Sequence, residues 1–488
     1  MFCDLQYCDL QWSETQTSAT ETTAMSQADV PPGSTDNSGR TARFGLATAT
    51  FVVVSSMVGT GVLTTSGFSV YFLGSNQLML VLWVIGGVLA VCGALTLCEL
   101  TALIPRSGGD YVYLHESYGP AVAFLSGWVS FFIGFGGPIA ASSSAAANYL
   151  LVPFAIDPAR EAILRPALAS AIVLALAVVH GFGRDSSIRA QGGMTVVKLA
   201  ILLTLAVAGV ALGWGRWSSL ADRPPITTDV AVTMASSLVY VTYAYTGWNA
   251  ASYLAGEVDR PQKRMPWAIL VGTGLVTLLY LLLNFAYALA IPAEAIRGLV
   301  GDSKNVGVVA PIAQIAAERL VGPRVANPLS MAIGLTLIAS VSAYVLTGPR
   351  VLMAMAASGQ FPAFAGRVTD RGAPVLATGL QVTWALILLW TASFEPILLY
   401  SSIGLSLFSM LTVSSVFVLR SQRPEAARPF RTPGYPITPL IYLVGTGALV
   451  VAVARSRPDV AIASGLSIAS GVPVYYAWRA AQKLRARV

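Results

Sequence analysis

Charge is scarce in this sequence. Only 11% of its 488 residues are Asp, Glu, Lys or Arg, against roughly a quarter in soluble domains, while 55% are hydrophobic. With a mean hydropathy of +0.67, it has too little polar surface to cover a water-facing globule, which excludes a soluble enzyme as the leading reading. Histidine and cysteine are scarcer still. His115 and His180 are too few and too separate for a metal site and are expected near membrane interfaces. Cys3, Cys8, Cys92 and Cys98 show neither metal-site spacing nor a companion His cluster, so no disulfide framework, metal or cofactor is implied. Missing too are the clustered nucleophiles and acid–base pairs of a membrane enzyme and the repeated polar rings of a channel filter. The net charge of +7 does not point to nucleic acid, because Lys and Arg are spread between apolar runs instead of forming one stripe.

What is present is a succession of apolar runs from Phe44 to Trp478, long enough to cross about 30 Å of hydrocarbon as helices, which satisfy every backbone group there. Windows near 44–68, 77–103, 120–151, 166–183, 194–214, 229–255, 267–292, 326–356, 373–392, 394–419, 437–454 and 459–478 predict an all-α membrane protein of about twelve spans. Residues 1–43, rich in Ser, Thr, Gln, Asp and Pro, read as a disordered cytoplasmic tail. No basic segment followed by an apolar stretch precedes Arg40, so no signal peptide is expected; Met25 stands as an alternative natural start. With the N-terminus cytoplasmic, about nineteen of the thirty basic residues fall inside and about ten outside, which favours that orientation in a cell membrane. An even number of spans returns the C-terminus, with its basic tail 479–488, to the same side.

Two windows are poor continuous helices. The first contains Ser55-Ser56-Met57-Val58-Gly59-Thr60-Gly61-Val62 and the sixth Tyr243-Ala244-Tyr245-Thr246-Gly247-Trp248-Asn249, each with glycine and small polar residues at mid-membrane depth. Interrupted spans five apart suit two inverted five-helix repeats, 44–214 and 229–419. A break exposes N–H groups with partial positive charge at one end and carbonyls with partial negative charge at the other. A zwitterionic α-amino acid complements both. Its carboxylate can lie on the N–H groups of Thr60, Gly61 and Val62, and its ammonium on carbonyls near Met57, Tyr243, Ala244 and Thr246, with Trp248 and Asn249 adjoining. The same glycines would also serve close helix packing, and Trp248 and Tyr245 could be ordinary packing aromatics.

These residues resemble the amino acid, polyamine and organocation transporter superfamily, particularly its L-type amino acid transporter and bacterial exchanger branches. The likeness runs from about Phe44 to the end of the chain. It rests on Gly59-Thr60-Gly61-Val62, on Pro105-Arg106-Ser107-Gly108-Gly109-Asp110-Tyr111-Val112-Tyr113, and on Tyr243 to Asn249 with Glu257 and Pro261 downstream. Arg350 and Arg428-Pro429-Phe430-Arg431-Thr432-Pro433-Gly434-Tyr435-Pro436 complete it. The resemblance implies a leucine-transporter-type fold with broken helices one and six, substrate at the breaks, and alternating access. It further implies that Lys198, seven residues after Gln191, takes the place of a sodium ion, bridging carbonyls near Ser55 and Ser56 to the hydroxyls of Ser340 and Ser342. Read from its position alone, Lys198 could instead be an interfacial, snorkelling lysine. The chain departs from the family at Thr60, where Ser is usual, at Tyr243, where Phe or Trp is common, and in the small, kinked stretch Gly134 to Pro138.

Sodium-independent transport of neutral L-amino acids, as an exchanger, is therefore the expectation; proton-coupled uptake, or a permease for polyamines or other amines, is the alternative. No acidic side chain occurs in 54–62, 130–142 or 243–249, so a cationic side chain would be unpaired there. Gly134, Gly136 and Gly137 could leave room for a medium or large side chain unless helix packing fills it. Glu99 and Glu257 are expected to pair with loop cations such as Arg106, Arg264 or Arg350 in a gating or structural network, with proton carriage as the other option. Asp110 reads as part of a tight cytoplasmic re-entry, and the amphipathic run Val309 to Leu320 as an extracellular helix over the entrance. The resembling animal exchangers carry a cysteine between spans three and four; Val152 to Arg165 has none, so no covalent accessory subunit is expected, the partners being substrate and lipid bilayer.

Overall fold

The computed structural model describes residues 45–154, 156–221, 228–301, 306–391 and 394–485. The tail expected over 1–43 lies outside the described residues, together with Cys3, Cys8 and Met25. Among the described residues the regular structure is helical, without strands, and ten helical segments are long and apolar enough to cross a membrane.

The first window folds as two helices, α1 (Leu46–Met57) and α2 (Gly61–Leu73). α3 (Asn76–Leu103) begins where the Ser75 hydroxyl accepts from the Leu78 N–H at 3.2 Å. The short α4 (Asp110–Tyr118) precedes α5 (Pro120–Val129), a π-helical stretch at Ser130–Phe135 and α6 (Gly136–Leu151), which together fill the third window. Then come α7 (Pro158–Gly181) and α8 (Arg184–Gly213). The sixth window holds α9 (Thr228–Ala244) and, after an irregular turn, a 3₁₀ stretch at Ala250–Glu257. α10 (Pro261–Ala290) is followed by two short helices, α11 (Ala293–Val300) and α12 (Ile312–Val321), the latter within the amphipathic run. α13 (Pro323–Thr347) and α14 (Pro349–Ala357) share one window, and α15 (Val375–Thr391), α16 (Phe394–Gln422), α17 (Ile437–Ser456) and α18 (Pro458–Arg485) complete the chain.

Helix ends extend beyond the apolar windows wherever local chemistry supports them. α7 starts at Pro158 instead of 166, because Asp157 caps it, proline suits the first turn, and Glu161 and Arg165 pair one turn apart. Residues 479–485, expected as tail, continue α18. Trp478 and Gln482 both donate to the Gly359 carbonyl, which pins that end beside α14.

α10 lies along α3 and α1, α13 along α6, and α9 along α2. Between them Trp83, Tyr245 and Tyr280 form an aromatic core, their ring centroids 5.1–5.5 Å apart. Side chains such as Leu278 and Val444, 68% and 69% exposed, turn outward from α10 and α17, an arrangement costly in water and natural in lipid.

The charged pairs differ from the expected ones. Glu99, 1% exposed, is met not by Arg106, Arg264 or Arg350 but by Arg420, whose Nε and Nη2 donate at 2.9 and 2.7 Å. Thr432 adds its N–H and hydroxyl at 2.7 Å each, and Arg428 lies 3.3 Å away. The segment after α16 thus folds back over the end of α3, an encounter between residues more than 320 apart. Arg106 pairs with Glu116, and Arg264 with Asp259 at 3.1 Å; only Arg350 keeps an expected partner, Glu257, at 2.9 Å. Removing one side of a buried ion pair strands the other, at a cost of about 3–5 kcal/mol. Glu99→Ala should therefore lower the thermal unfolding midpoint of the detergent-purified protein clearly more than Glu99→Gln does; an alanine variant as stable as wild type would contradict this.

Candidate functional site

α1 stops because Gly59-Thr60-Gly61 cannot sustain it. The last helical bond runs from the Val58 N–H to the Val54 carbonyl at 2.9 Å, and the chain resumes as α2 only at Gly61. The carbonyls this leaves over are each met by a side chain from another helix. Lys198 Nζ on α8 donates to Ser55 O at 3.0 Å, and the Tyr344 hydroxyl on α13 to Ser56 O at 2.9 Å. The Tyr280 hydroxyl on α10 reaches Met57 O at 2.6 Å, and Ser340 on α13 reaches Val58 O at 2.8 Å. Buried carbonyls need partners, and these donors supply them without water.

α9 ends at Ala244 by a similar logic. The Thr246 N–H and hydroxyl both bond Tyr243 O, at 3.1 and 2.7 Å, and Tyr280 Oη also lies 3.0 Å from Ala244 O. Gly247 then takes φ +99°, and a Cβ on it would stand 2.8 Å from the Ser56 carbonyl carbon and oxygen. The two interruptions therefore touch, Gly247 against Ser56, and only glycine permits it.

Beside this junction lies a cavity of about 80 Å³ whose walls include Ser56, Gly134, Pro138, Thr246, Trp248, Asn249 and Tyr344. Of the residues expected from sequence to bind substrate, Thr246, Trp248 and Asn249 line it. Met57, Thr60, Gly61, Val62, Tyr243 and Ala244 are buried beside it and do not line it. Met57 O and Ala244 O face Tyr280, and a Cβ on Gly61 would sit 2.3 Å from Ala244 Cα, so α2 and α9 are in direct contact there. Lys198, 1% exposed, is no snorkelling residue: its ammonium holds Ser55 O and, at 2.7 Å, Ser340 Oγ. Ser342, expected as a further partner, is instead bonded to His180 Nε2 at 2.9 Å, and His180 is buried one residue before the end of α7. One helical turn holds about 3.6 residues, so positions 340 and 342 face different neighbours. Gln191 braces the same region, donating to Ser55 Oγ at 2.8 Å. Room expected at Gly136 and Gly137 is filled by helix packing. A Cβ at those positions would lie 2.4 Å from Trp384 and 2.2 Å from Ser401 Oγ.

Asp110, read from sequence as part of a loop, adjoins this cavity. Gly109, at φ +60°, passes so close under Tyr253 that a Cβ would lie 2.3 Å from its ring, and the turn sets Asp110 at the first position of α4, 5% exposed. Its Oδ2 accepts from Asn249 Nδ2 at 2.9 Å, while Oδ1 is buried without a hydrogen-bond partner; Tyr253 and Thr412 stand near the carboxyl without completing a bond to Oδ1. Burial pushes the group up to about 6, against the opposing pull of Asn249. Asp110, Tyr280 and Tyr344 are the residues that sequence reasoning missed. Only the Gly108-Gly109 turn before Asp110 hinted at any of them.

A family model for amino acid permeases matches residues 44–477. The chain is 27% identical to the serine/threonine exchanger SteT of Bacillus subtilis, an alignment spanning 91% of this chain and 98% of that protein. It is 28% identical to the human large neutral amino acids transporter small subunit 2, over 92% of this chain and 83% of the relative. It is 27% identical to the human cystine/glutamate transporter, over 87% and 83%.

The raised Asp110 carboxyl makes a signed prediction. A group whose folded value lies above its ordinary 3.8 stabilises the fold in its protonated form; that contribution is complete below about pH 4 and lost as pH rises through about 6. From pH 4 to 7 the unfolding midpoint of wild type should fall relative to that of Asp110→Asn, and a constant difference across the window would refute the shift.

Proposed function

This chain belongs to the amino acid permease family, and from that premise we propose that it moves neutral L-amino acids across the cell membrane by alternating access, without sodium and as an exchanger. The observation that carries the reading is the contact of the two helix interruptions, Val58–Thr60 and Tyr245–Asn249, across Gly247 and Ser56 beside a cavity. The helix ends present what a zwitterion needs. The N–H groups of Thr60, Gly61 and Val62 at the start of α2 would take the carboxylate, and carbonyls of Met57, Tyr243, Ala244 and Thr246 the ammonium. Because α2 and α9 touch at Gly61 and Ala244, their separation would be the step that uncovers the carboxylate site. About twelve spans in two inverted repeats, 44–214 and 229–419, with 437–478 peripheral and both termini cytoplasmic, would support that motion. The pairing of Glu257 with Arg350 is suited to gate the cytoplasmic side.

Lys198 supports sodium independence. Its ammonium already bridges α1 to α13 through neutral oxygens, where a sodium ion would otherwise be a suitable bridge. Neutral substrates follow from the absence of acidic side chains in 54–62, 130–142 and 243–249. Asp110 favours a second reading, in which the substrate carries an amine on its side chain. It is weaker, since Oδ2 is committed to Asn249 and Oδ1 is shielded from the cavity.

The test is counterflow into proteoliposomes containing the purified chain alone, under reducing conditions, with an amino acid panel, with sodium or choline, and with or without a pH gradient. Exchange of neutral amino acids, unaffected by choline substitution, by the pH gradient or by the lack of a partner subunit, is expected. Preference for arginine, lysine or a polyamine over leucine, threonine and phenylalanine, or strict sodium dependence, would sink the reading; stimulation by an inward proton gradient would replace exchange with proton-coupled uptake. Lys198→Ala should reduce flux at least about tenfold, equivalent to roughly 1.4 kcal/mol, while lowering the amount of folded protein much less. Full activity in that variant would remove Lys198 from the mechanism.

A further inference from the structure

The walls of the cavity beside the two interruptions are not uniformly apolar. α16 and α17 contribute Ser406, Ser409, Tyr442 and Thr446, and Asp110 and Asn249 line it as well. Tyr442 donates to Ser409 Oγ at 2.7 Å, and Ser409 in turn to the Ser406 carbonyl at 3.0 Å. The Tyr442 ring meets Trp248 edge-on, with centroids 5.8 Å apart, and a Cβ on Gly93 would stand 2.9 Å from both. Asn249 differs from these residues, because only one end of its amide is engaged. Its Nδ2 donates to Asp110 Oδ2 at 2.9 Å. An ionised carboxylate accepts and cannot donate, so Asp110 holds the nitrogen end of the amide and leaves the oxygen end free. Among the described residues nothing donates to Asn249 Oδ1, and the half-buried side chain keeps that oxygen open where it lines the cavity. In Asp110 itself, by contrast, Oδ2 is engaged and Oδ1 is shut away. What the cavity meets here is a neutral acceptor.

We propose that Asp110 positions Asn249 so that its amide oxygen accepts a hydrogen bond from the substrate side chain. The protein then selects neutral amino acids whose side chains bring a donor, such as a hydroxyl, over apolar ones of the same shape. This rests on the reading of the cavity as the amino acid site. In that reading backbone groups of residues 57–62 and 243–246 take the α-carboxylate and α-ammonium. The Asn249 side chain, two residues past Gly247 and tied to α4, is left for the remainder of the substrate. A hydroxyl gives up a hydrogen bond to water and regains one on Asn249 Oδ1, whereas a methyl in its place would displace water from that oxygen and return nothing. A site that leaves its polar group unpaired with the wrong substrate discriminates by at least about tenfold.

The experiment compares shape-matched pairs, threonine with valine and serine with α-aminobutyrate, with lysine as a cationic control. The readout is kcat/KM for uptake into proteoliposomes preloaded with the same amino acid, by wild type, Asn249→Leu and Asp110→Asn. Wild type should favour the hydroxyl member of each pair by at least about tenfold. Asn249→Leu, close in size but without an acceptor, should bring both ratios near one. Asp110→Asn lets either end of the Asn249 amide be held, and its ratios should fall between those of wild type and Asn249→Leu. Each ratio is read within one preparation, so a loss of folded protein or of overall turnover does not move it, and the wild-type ratios test the inference even where a variant fails to fold. Equal uptake of threonine and valine by wild type would overturn it while leaving neutral amino acid transport standing. Rates that fall alike for all four substrates in Asn249→Leu, with the ratios kept, would assign Asn249 to the shared α-amino group and overturn it too. Ratios unchanged in Asp110→Asn would remove Asp110 as the positioning residue. Preference for lysine, or transport of none of the four, would overturn both this inference and the reading beneath it.

Discussion

Four consecutive carbonyls, from Ser55 to Val58, have lost the helical N–H groups that would ordinarily receive them, or stand at the edge of that loss, in a part of the chain remote from water. An unpartnered carbonyl in hydrocarbon costs several kcal/mol, so such an interruption survives only if the rest of the protein brings donors to it. Here the donors are Lys198, Tyr344, Tyr280 and Ser340, from α8, α13 and α10. Satisfying one short stretch therefore fixes where three long helices must lie. The same helices make the main packing partnerships, α10 along α1 and α3 and α13 along α6.

The two interruptions also share a hydrogen-bonding residue. Tyr280 has one hydroxyl proton for two carbonyls, those of Met57 and Ala244, which belong to the ends of α1 and α9. Met57 O also accepts from the Gly59 N–H at 2.8 Å, so both carbonyls keep a donor when the Tyr280 proton turns to Ala244 O. The contact of Gly61 with Ala244 and that of Gly247 with Ser56 are backbone approaches without side-chain interlock. Such faces can separate without breaking a charge pair, whereas the opposing end is tied by Glu257 and Arg350.

Among the described residues, buried charged groups are met in different ways: Lys198 by neutral oxygens and Glu99 by opposite charge. Glu99 is surrounded by Arg420, Arg428 and Thr432, and Arg420 additionally covers the Tyr435 ring at 3.7 Å. Asp110 has no opposite charge beside it among the described residues; its Oδ2 accepts from Asn249, and Tyr253 and Thr412 stand near the carboxyl. That imbalance next to a cavity is what a purely structural acid would avoid, and it marks the site as much as the helix interruptions do.

Local pattern alone determined the run of apolar helices and the places where α1 and α9 stop. Hydropathy and glycine content are properties of neighbouring residues, so a window of sequence contains them. Only the tertiary structure decided who meets the interrupted ends. Tyr280 and Tyr344 are single aromatics in apolar helices, no different in local context from ones that merely pack, and their acceptors lie 223 and 288 residues away. In the same way Ser342 turned to His180, Glu99 found Arg420, and Gly136 and Gly137 were filled by Trp384 and Ser401, because a helix can be predicted from its own residues but its facing partner cannot. The chain's composition thus settled that helices must cross lipid, while close packing between distant segments settled which side chains surround the cavity.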